Sequence, residues 1–461
     1  MPDNFYSVTG KEWALKAIQE RKIDKLVQEL DISDFLARIV CSRNLDLVDS
    51  DIAEKWLEPR LKSELPSPFI LKDMSRAVKR IIDAFKYNQK IAIFGDYDVD
   101  GATSSALLYR TFQMFGVEAI IYIPDRIKEG YGPNISALDK LKNQGVDLLI
   151  TVDCGTTSFE PINLANEQNV DVVVLDHHQS DIKLPKALAL VNPNRLDETS
   201  DLKYLCAAGV CFMYLVALNK KLRDLEWFKK NNIQEPNILN FLDLASLGTV
   251  CDVVPLIGLN RAIVKQGLKI IKKRSNLGIK TLYDLCKIDS QPTTYDLGFA
   301  LGPRINAGGR VGKSSHGVEL LISEDPKKAY EIATALNKSN LERQSIEMML
   351  YEQIDLEVKK FHNHPVLVMS GNHWHEGVIG IIASKIKDKY NKPTILISVN
   401  QKKGKGSARS IVGFDIGCQI IKAVQSNILE KGGGHKMAGG FTINEDKIPI
   451  FRFGNCTHCI K

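Results

Sequence analysis

Three short apolar runs in this chain each end on acidic side chains. Ile91-Ala-Ile-Phe-Gly leads into Asp96-Tyr97-Asp98-Val99-Asp100-Gly101. Val146-Asp-Leu-Leu-Ile-Thr-Val leads into Asp153-Cys154-Gly155, and Val170-Asp-Val-Val-Val-Leu into Asp176-His177-His178. Runs of this length, rich in Val, Ile and Leu, read as parallel strands buried on both faces. An open α/β sheet binds its ligands in the crevice outside the carboxyl ends of its strands. Three such ends bring five Asp and two His around one crevice. So many carboxylates repel one another unless cations lie between them. The expectation is an α/β fold with a metal centre of two divalent ions.

The bulk composition fits a soluble enzyme. At 461 residues the chain can form two or three domains with large cores. No apolar stretch approaches the ~18 residues that would span a bilayer. The opening residues, MPDNFYSVTGKEW, carry an acid and lack the apolar centre of a secretory signal, so a cytoplasmic location is expected. The nine cysteines are scattered, with Cys206, Cys211 and Cys251 inside apolar runs, and read as reduced thiols, not a disulfide framework. The net charge of +6 is mild, but the rest of the surface must be more basic once the acidic crevice is set aside. Lys402-Lys403-Gly-Lys405 and Lys269–Arg274 are local basic clusters.

Residues 1 to about 70 are helical in pattern, with Trp13, Leu15, Ile18 and Ile23 spaced for one face, until Pro66 and Pro68. A helix from about Ser75 opens a β/α alternation that runs to about residue 200. From 205 to 290 the pattern turns helical, and a Gly-rich loop is expected at Gly302–Gly312. Residues 326 to about 361 are the longest helical pattern, with Pro326 suited to the first turn and no further Gly or Pro before Pro365. Such a helix would be about 50 Å long, enough to join two domains across a cleft. A smaller α/β unit follows, with strands at Val366–Met369, Thr394–Ser398 and near Ser407–Ile411, helices from Val378 and Asp415, and a closing run Gly432–Gly440.

Asp-x-Asp-x-Asp-Gly at 96–101 opens like a calcium-binding EF loop, but no Glu closes it and an apolar helix follows. Alternate residues of extended chain point the same way, so Asp96, Asp98 and Asp100 can converge; a helix N-cap would explain only one of them. His177 adds a nitrogen ligand, and a mixed carboxylate–imidazole set suits Mn²⁺ better than Mg²⁺. No Cys-x-x-Cys spacing supports zinc beside Cys154 or Cys251.

In order along the chain stand GDYDVDG (95–101), VDCGT (152–156), LDHH (175–178), VNPN (191–194), LGTVCDVVPL (247–256), GPRINAGGRVG (302–312), GSARS (406–410) and GGGHKMAGG (432–440). This ordered set resembles the DHH phosphoesterase superfamily and, within it, the bacterial exonucleases that degrade single-stranded DNA from the 5′ end; the likeness covers roughly 70 to 445. The resemblance implies a DHH-type parallel-sheet catalytic domain at 71–315 after an N-terminal helical region at 1–70. A long connecting helix at 316–362, a DHH-associated C-terminal domain at 363–445 and a short tail at 446–461 would follow. It implies that Asp98 and Asp153, with Asp96, bind one metal ion, and that Asp100, Asp153, His177 and Asp252 bind the other, Asp153 bridging. His178 would contact the scissile phosphate. Arg126, Ser407 and Arg409 would recognise the DNA 5′ end, and Gly433, Gly434 and His435 would hold the strand. Arg304, Asn306 and Arg310 of the Gly-rich segment would contact its backbone. Arg is the fork-shaped phosphate ligand, and glycines admit phosphate to the backbone N–H groups, which agrees with these roles. Two ions, Mn²⁺ preferred and Mg²⁺ possible, would stabilise both oxygens of an in-line displacement that releases 5′ mononucleotides.

The resemblance also implies an oligonucleotide-binding barrel after the C-terminal domain. The tail, with Cys456, His458 and Cys459, does not resemble one, so a truncated or out-of-frame terminus is expected. The expected partners are single-stranded DNA, a single-strand-binding protein and a helicase, with the chain a monomer. Two rival readings are a phosphodiesterase of short oligonucleotides or cyclic dinucleotides, and an inactive or non-catalytic DNA-binding scaffold. The N-terminal region, the 302–312 segment and GSARS favour the nuclease over the first. Retention of every metal-candidate residue disfavours the second.

Overall fold

A computed structural model describes residues 5–8, 10, 12–13, 17–43, 49–361 and 364–452. The catalytic-type unit is built on a five-stranded parallel sheet in the spatial order Ala119–Tyr122, Ile91–Gly95, Leu148–Val152, Asp171–Leu175, Ala189–Val191. Its strands are apolar on both faces because both faces are covered. Ile91, Ile93, Leu148, Ile150, Val173 and Leu175 join one core, with helices Met74–Lys86, Val99–Met114, Ala207–Asp224 and Leu242–Cys251. The alternate residues Ala92, Phe94, Leu149, Val172 and Val174 join a second core under helices Ile135–Asn143 and Phe159–Glu167.

The order of the strands positions the site. After Ile91–Gly95 the chain crosses to Ala119–Tyr122 on one side, then returns to Leu148–Val152 on the other. The direction of winding reverses between the strands that precede Asp96 and Asp153, which opens a crevice at their carboxyl ends.

The second unit has a five-stranded mixed sheet in the order Lys431–His435, Ala438–Asn444, Lys403–Arg409, Thr394–Asn400, Leu367–Asn372, with only the last pair parallel. Helices Glu376–Tyr390 and Ile416–Gln425 pack against it. The 36-residue helix Pro326–Phe361 ties the units together. Ala329, Ile332, Ala333 and Leu336 join the first core, whereas Leu350, Ile354 and Val358 join the core of the second unit. At 1.5 Å per residue this helix is about 54 Å long.

The structure corrects the sequence reading in four places. The connecting helix expected from residue 316 is two helices, His316–Ile322 and Pro326–Phe361, because Ser323 turns extended and Pro326 starts afresh. The glycine-rich 302–312 segment is a helix, Gly302–Val311, and not a loop. Its glycines serve close packing: a Cβ on Gly302 would lie 2.6 Å from Cys251 Sγ, and one on Gly309 would lie 2.9 Å from the Tyr97 carbonyl. Trp13 does not start a helix; Glu12–Trp13 pairs with Phe5–Tyr6 as a small antiparallel ribbon, and the first helix is Glu20–Leu30. Gly10, at φ 72°, makes the intervening turn that the apolar spacing hid. The strand expected near 407–411 ends at Arg409. Leu15, Cys456, His458 and Cys459 lie outside the described residues.

Candidate metal centre and anion pocket

Three groups of potential ligands converge at the crevice: Asp96, Asp98 and Asp153; Asp100, His177 and Asp252; and Asp153, His177 and His178. Asp153 and His177 are each shared by two groups. His177 Nε2 lies 3.3 Å from Asp153 Oδ1, 3.5 Å from Asp252 Oδ2 and 3.8 Å from Asp100 Oδ2. Local structure fixes each ligand. Asp98 is the N-cap of helix Val99–Met114, its Oδ1 accepting from Gly101 N at 3.1 Å. Asp100 accepts from Ala207 N and Ala208 N at 2.6 and 2.9 Å, at the N-terminus of another helix. Asp252 ends helix Leu242–Cys251, and Asp153 holds φ at 61°.

The electrostatics are those of a cation site. Burial first, and then the neighbouring Asp98, push the Asp96 and Asp153 carboxyls well above the ordinary range. Burial and the charge of Asp100 bring Asp252 up to about 9. Burial also lowers His177, which keeps its imidazole neutral and available as a ligand. Three buried atoms, Asp96 Oδ1, Asp153 Oδ1 and His177 Nε2, have no hydrogen-bond partner among the described residues. Orphaned polar atoms at this depth are costly, and a divalent ion with oxygen and nitrogen ligands satisfies all three.

Asp176 has a different task. Its carboxylate accepts from His177 N at 2.7 Å, His178 N at 3.2 Å, Thr156 N at 3.0 Å and His178 Nδ1 at 2.8 Å. Against the cost of burial, the bond to His178 and its charge hold Asp176 below the ordinary carboxylate range. Burial pulls His178 down, but the Asp176 bond and charge outweigh it and raise the imidazole to about 9. Asp176 therefore orients a protonated His178. Asn192 and Asn194 fix the same turn through the carbonyls of His178 and His177, at 2.8 and 2.5 Å. Tyr131 donates to the Asp153 carbonyl at 2.9 Å and reaches His178 Nδ1 at 3.2 Å. No positioning role was assigned to these residues from sequence; the available signals were VNPN after a strand and a Tyr between two turn glycines.

Beside the acids lies a group of arginines drawn from both units. Arg126 stacks at 5.0 Å on Tyr97, the residue between Asp96 and Asp98. Arg310 donates to the Gly377 carbonyl of the second unit at 2.8 Å. Arg409 lies against Gly380, where a Cβ would come within 3.2 Å of its Nη2, and contacts Ser407 Oγ at 3.3 Å. Burial, then the like charges of Arg126, Arg343 and Arg409, bring the Arg310 guanidinium down to about 10 despite the pull of Asp98. Burial and Arg126 likewise lower Arg409. Among the described residues, Arg126, Arg310 and Arg409 form no ion pair with a carboxylate. Guanidinium groups without a carboxylate partner, gathered in a half-buried space, have the chemistry to receive a phosphate-sized anion.

The other expected substrate-binding residues lie on helix Gly302–Val311 and strand Lys431–His435. Arg304 is engaged with Asn337 Oδ1 and the Ala300 carbonyl, at 2.9 and 2.7 Å. Asn306 Oδ1 accepts from Val99 N at 3.2 Å, so it braces the Asp-rich turn. Gly433, Gly434 and His435 lie on the edge strand Lys431–His435, and no described hydrogen bond or ion pair links them to the acids. The Lys402–Lys405 cluster is at the far end of strand Lys403–Arg409 from Arg409, with Lys403 paired to Glu430 at 3.2 Å.

Comparisons with known proteins agree with this architecture. Residues 90–249 match the DHH family, N-terminal domain, and residues 363–452 match the DHHA1 domain. The chain is 36% identical over 451 residues to the single-stranded-DNA-specific exonuclease RecJ of Escherichia coli (strain K12), covering 95% of this chain and 77% of that protein. It is 35% identical over 444 residues to the Bacillus subtilis (strain 168) protein of the same description, of which it spans 54%. A crystal structure of exonuclease RecJ bound to manganese superposes with a TM-score of 0.72 at 30% identity, over 86% of this chain and 96% of that one. The RecJ of Thermus thermophilus in complex with Mn²⁺ gives a TM-score of 0.78 at 27% identity, over 95% of this chain and 60% of that one.

Proposed function

The chain belongs to the RecJ family of DHH phosphoesterases, and from that premise we propose that it hydrolyses single-stranded DNA from the 5′ end, releasing 5′ mononucleotides. The observation that carries the reading is the adjacency of two sites: a carboxylate–imidazole cluster with three orphaned ligand atoms, and an unpaired arginine group facing it across the two units.

In this reading Asp96, Asp98 and Asp153 hold one divalent ion, and Asp100, Asp153, His177 and Asp252 hold the other, with Mn²⁺ preferred over Mg²⁺. When bound, the ions supply Lewis-acid charge that offsets the negative charge developing on the phosphate. The protein does the rest. Arg126, Arg310 and Arg409, with Ser407, fix the 5′-terminal phosphate and so set polarity. His178, held by Asp176, presents its outward Nε2–H to an oxygen of the scissile phosphate. A single-strand-binding protein and a helicase are the partners that such a reaction calls for.

The test is hydrolysis of 5′-labelled single-stranded DNA with Mn²⁺, with and without chelator. Mononucleotides released from the 5′ end only in the presence of metal support the reading. Release from the 3′ end, or cleavage that is indifferent to chelator, refutes it. Greater turnover of cyclic dinucleotides than of long strands would favour the phosphodiesterase reading.

A further inference from the structure

Charge is also buried in the middle of helix Pro326–Phe361, where the reaction described above makes no use of it. Asn340, Arg343 and Glu347 are 2%, 9% and 5% exposed. Spacings of three and four residues put them on one face of the helix. Arg343 donates through Nη1 to Glu347 Oε2, and through Nη2 to Asn340 Oδ1 at 2.8 Å. The other Glu347 oxygen, Oε1, lies 2.5 Å from Nζ of Lys385, on helix Glu376–Tyr390 of the second unit. One buried carboxylate thus joins the connecting helix to its neighbour. A buried ion pair does little for stability, because desolvation of the two charges offsets their attraction. Here the pairing is also incomplete: Arg343 Nε is buried with no hydrogen-bond partner among the described residues. The best-attested use of such a pair is to fix the register of the elements that it joins.

Those elements meet at the arginine group. Helix Glu376–Tyr390 begins there: the Gly377 carbonyl accepts from Arg310 Nη1 at 2.8 Å. A Cβ on Gly380 would lie 3.2 Å from Arg409 Nη2 and 2.8 Å from Ser407 Oγ. Lys385 is five residues beyond Gly380, about 8 Å along the axis. The helix is therefore seated on Arg310 and Arg409 at its start and held by Glu347 about two turns further on. On the side of the connecting helix, the charge of Arg343 is felt at Arg310. A slide or rotation of helix Glu376–Tyr390 would displace Gly377 from Arg310 and Gly380 from Arg409 together.

We propose that Glu347 is a positioning residue for the arginine group. By holding Arg343 on its own helix and Lys385 on the next, it sets how far Arg310 of the first unit stands from Arg409 of the second. The inference rests on the nuclease reading, in which these arginines take the 5′-terminal phosphate, and gives Glu347 no contact with the strand.

The test measures kcat and KM with Mn²⁺ on 5′-phosphorylated and 5′-hydroxyl single strands. The proteins are the wild type, Lys385→Met, Lys385→Arg and an Arg343→Met/Glu347→Leu double variant. Lys385→Met breaks the link between the helices and leaves the buried pair in place. The double variant replaces the pair with apolar side chains, so it should melt no lower than wild type. It should lose about ten-fold or more of the preference for the phosphorylated end, because guanidinium forks tolerate little displacement from a phosphate. The loss should lie in KM, with kcat kept. Lys385→Met should lose part of the preference and Lys385→Arg should keep it. A lost surface charge weakens both strands alike, so the ratio between them reports geometry. The Mn²⁺-induced rise in melting temperature should be the same in all four proteins. Wild-type preference in the double variant, an equal loss on both strands, or a fall in kcat would overturn the proposal. If the double variant melts lower than wild type, Lys385→Met decides, and full preference there overturns it. A wild-type protein that cuts single strands without regard to the 5′ phosphate would overturn the positioning role and leave hydrolysis standing; one that cuts neither strand would overturn the nuclease reading as well.

Discussion

The most informative single substitution is Asp153→Asn, because it separates metal binding from fold. Asp153 is buried, holds φ at 61°, and carries an unpartnered Oδ1. Asn accepts the left-handed conformation more readily than Ala, which would add strain of about 1–2 kcal/mol and confuse the result. In metal-free protein, burial and the neighbouring acids oppose ionisation of Asp153, so a neutral amide should raise the melting temperature above that of wild type. With Mn²⁺ the order should reverse. An ion at 100 times its dissociation constant stabilises the folded state by about 2.7 kcal/mol per site. A chain of 461 residues unfolds with an entropy of about 1 kcal/mol/K, so each site adds ~3 °C and two sites ~6 °C. The variant lacks the ligand common to two groups and should show little of this rise. The assay is thermal unfolding across a Mn²⁺ titration in both proteins. An equal metal-induced rise in the variant, or a metal-free variant less stable than wild type, would refute the argument.

Three further outcomes follow from particular contacts. Asp243, raised to about 6 by burial, favours the folded state below its unfolded pKa of ~3.8 and loses that contribution as pH rises through 6. Asp243→Asn should therefore match wild type near pH 4 and exceed it by up to about 3 kcal/mol above pH 7, read from denaturant melts; a gap that does not vary with pH would contradict this. Arg409→Ala should slow use of 5′-phosphorylated strands more than of 5′-hydroxyl strands, measured as kcat/KM on each, and an equal loss on both would remove Arg409 from end recognition. Gly309→Ala should cost about 1–3 kcal/mol and reduce hydrolysis, since its Cβ meets the Tyr97 backbone between two metal-candidate acids; unchanged kcat and stability would show that the turn gives way freely.

Local pattern settled much of this protein. The strands before Asp96, Asp153 and Asp176 were legible because a strand buried on both faces needs an unbroken apolar run, and a run ends where polar residues begin. Helix Pro326–Phe361 was legible because no breaker interrupts it and Pro326 suits its first turn. Which strand ends become neighbours is less local, yet the β/α alternation implied one parallel sheet, and that was enough to gather the acids.

The tertiary structure alone decided the rest. Arg409 joins Arg126 and Arg310 of the first unit only because the second unit docks against it, as the bond from Arg310 to the Gly377 carbonyl shows. Sequence could count Asp176 among the acids, but not tell that its oxygens point back at Thr156 and His178; that depends on the backbone turn after the strand. Gly302–Gly312 was misread because glycine signals a flexible loop and a close helix contact in the same letters, and only the atoms of Tyr97 and Cys251 distinguish them. Arg304 and Asn306 carry the right chemistry for a phosphate, and only the packed structure shows that Arg304 Nε is given to Asn337 and Asn306 Oδ1 to Val99 N. Sequence specifies which groups a chain can offer; the fold decides which remain unpartnered, because a hydrogen bond made within the protein is one no longer available to a ligand.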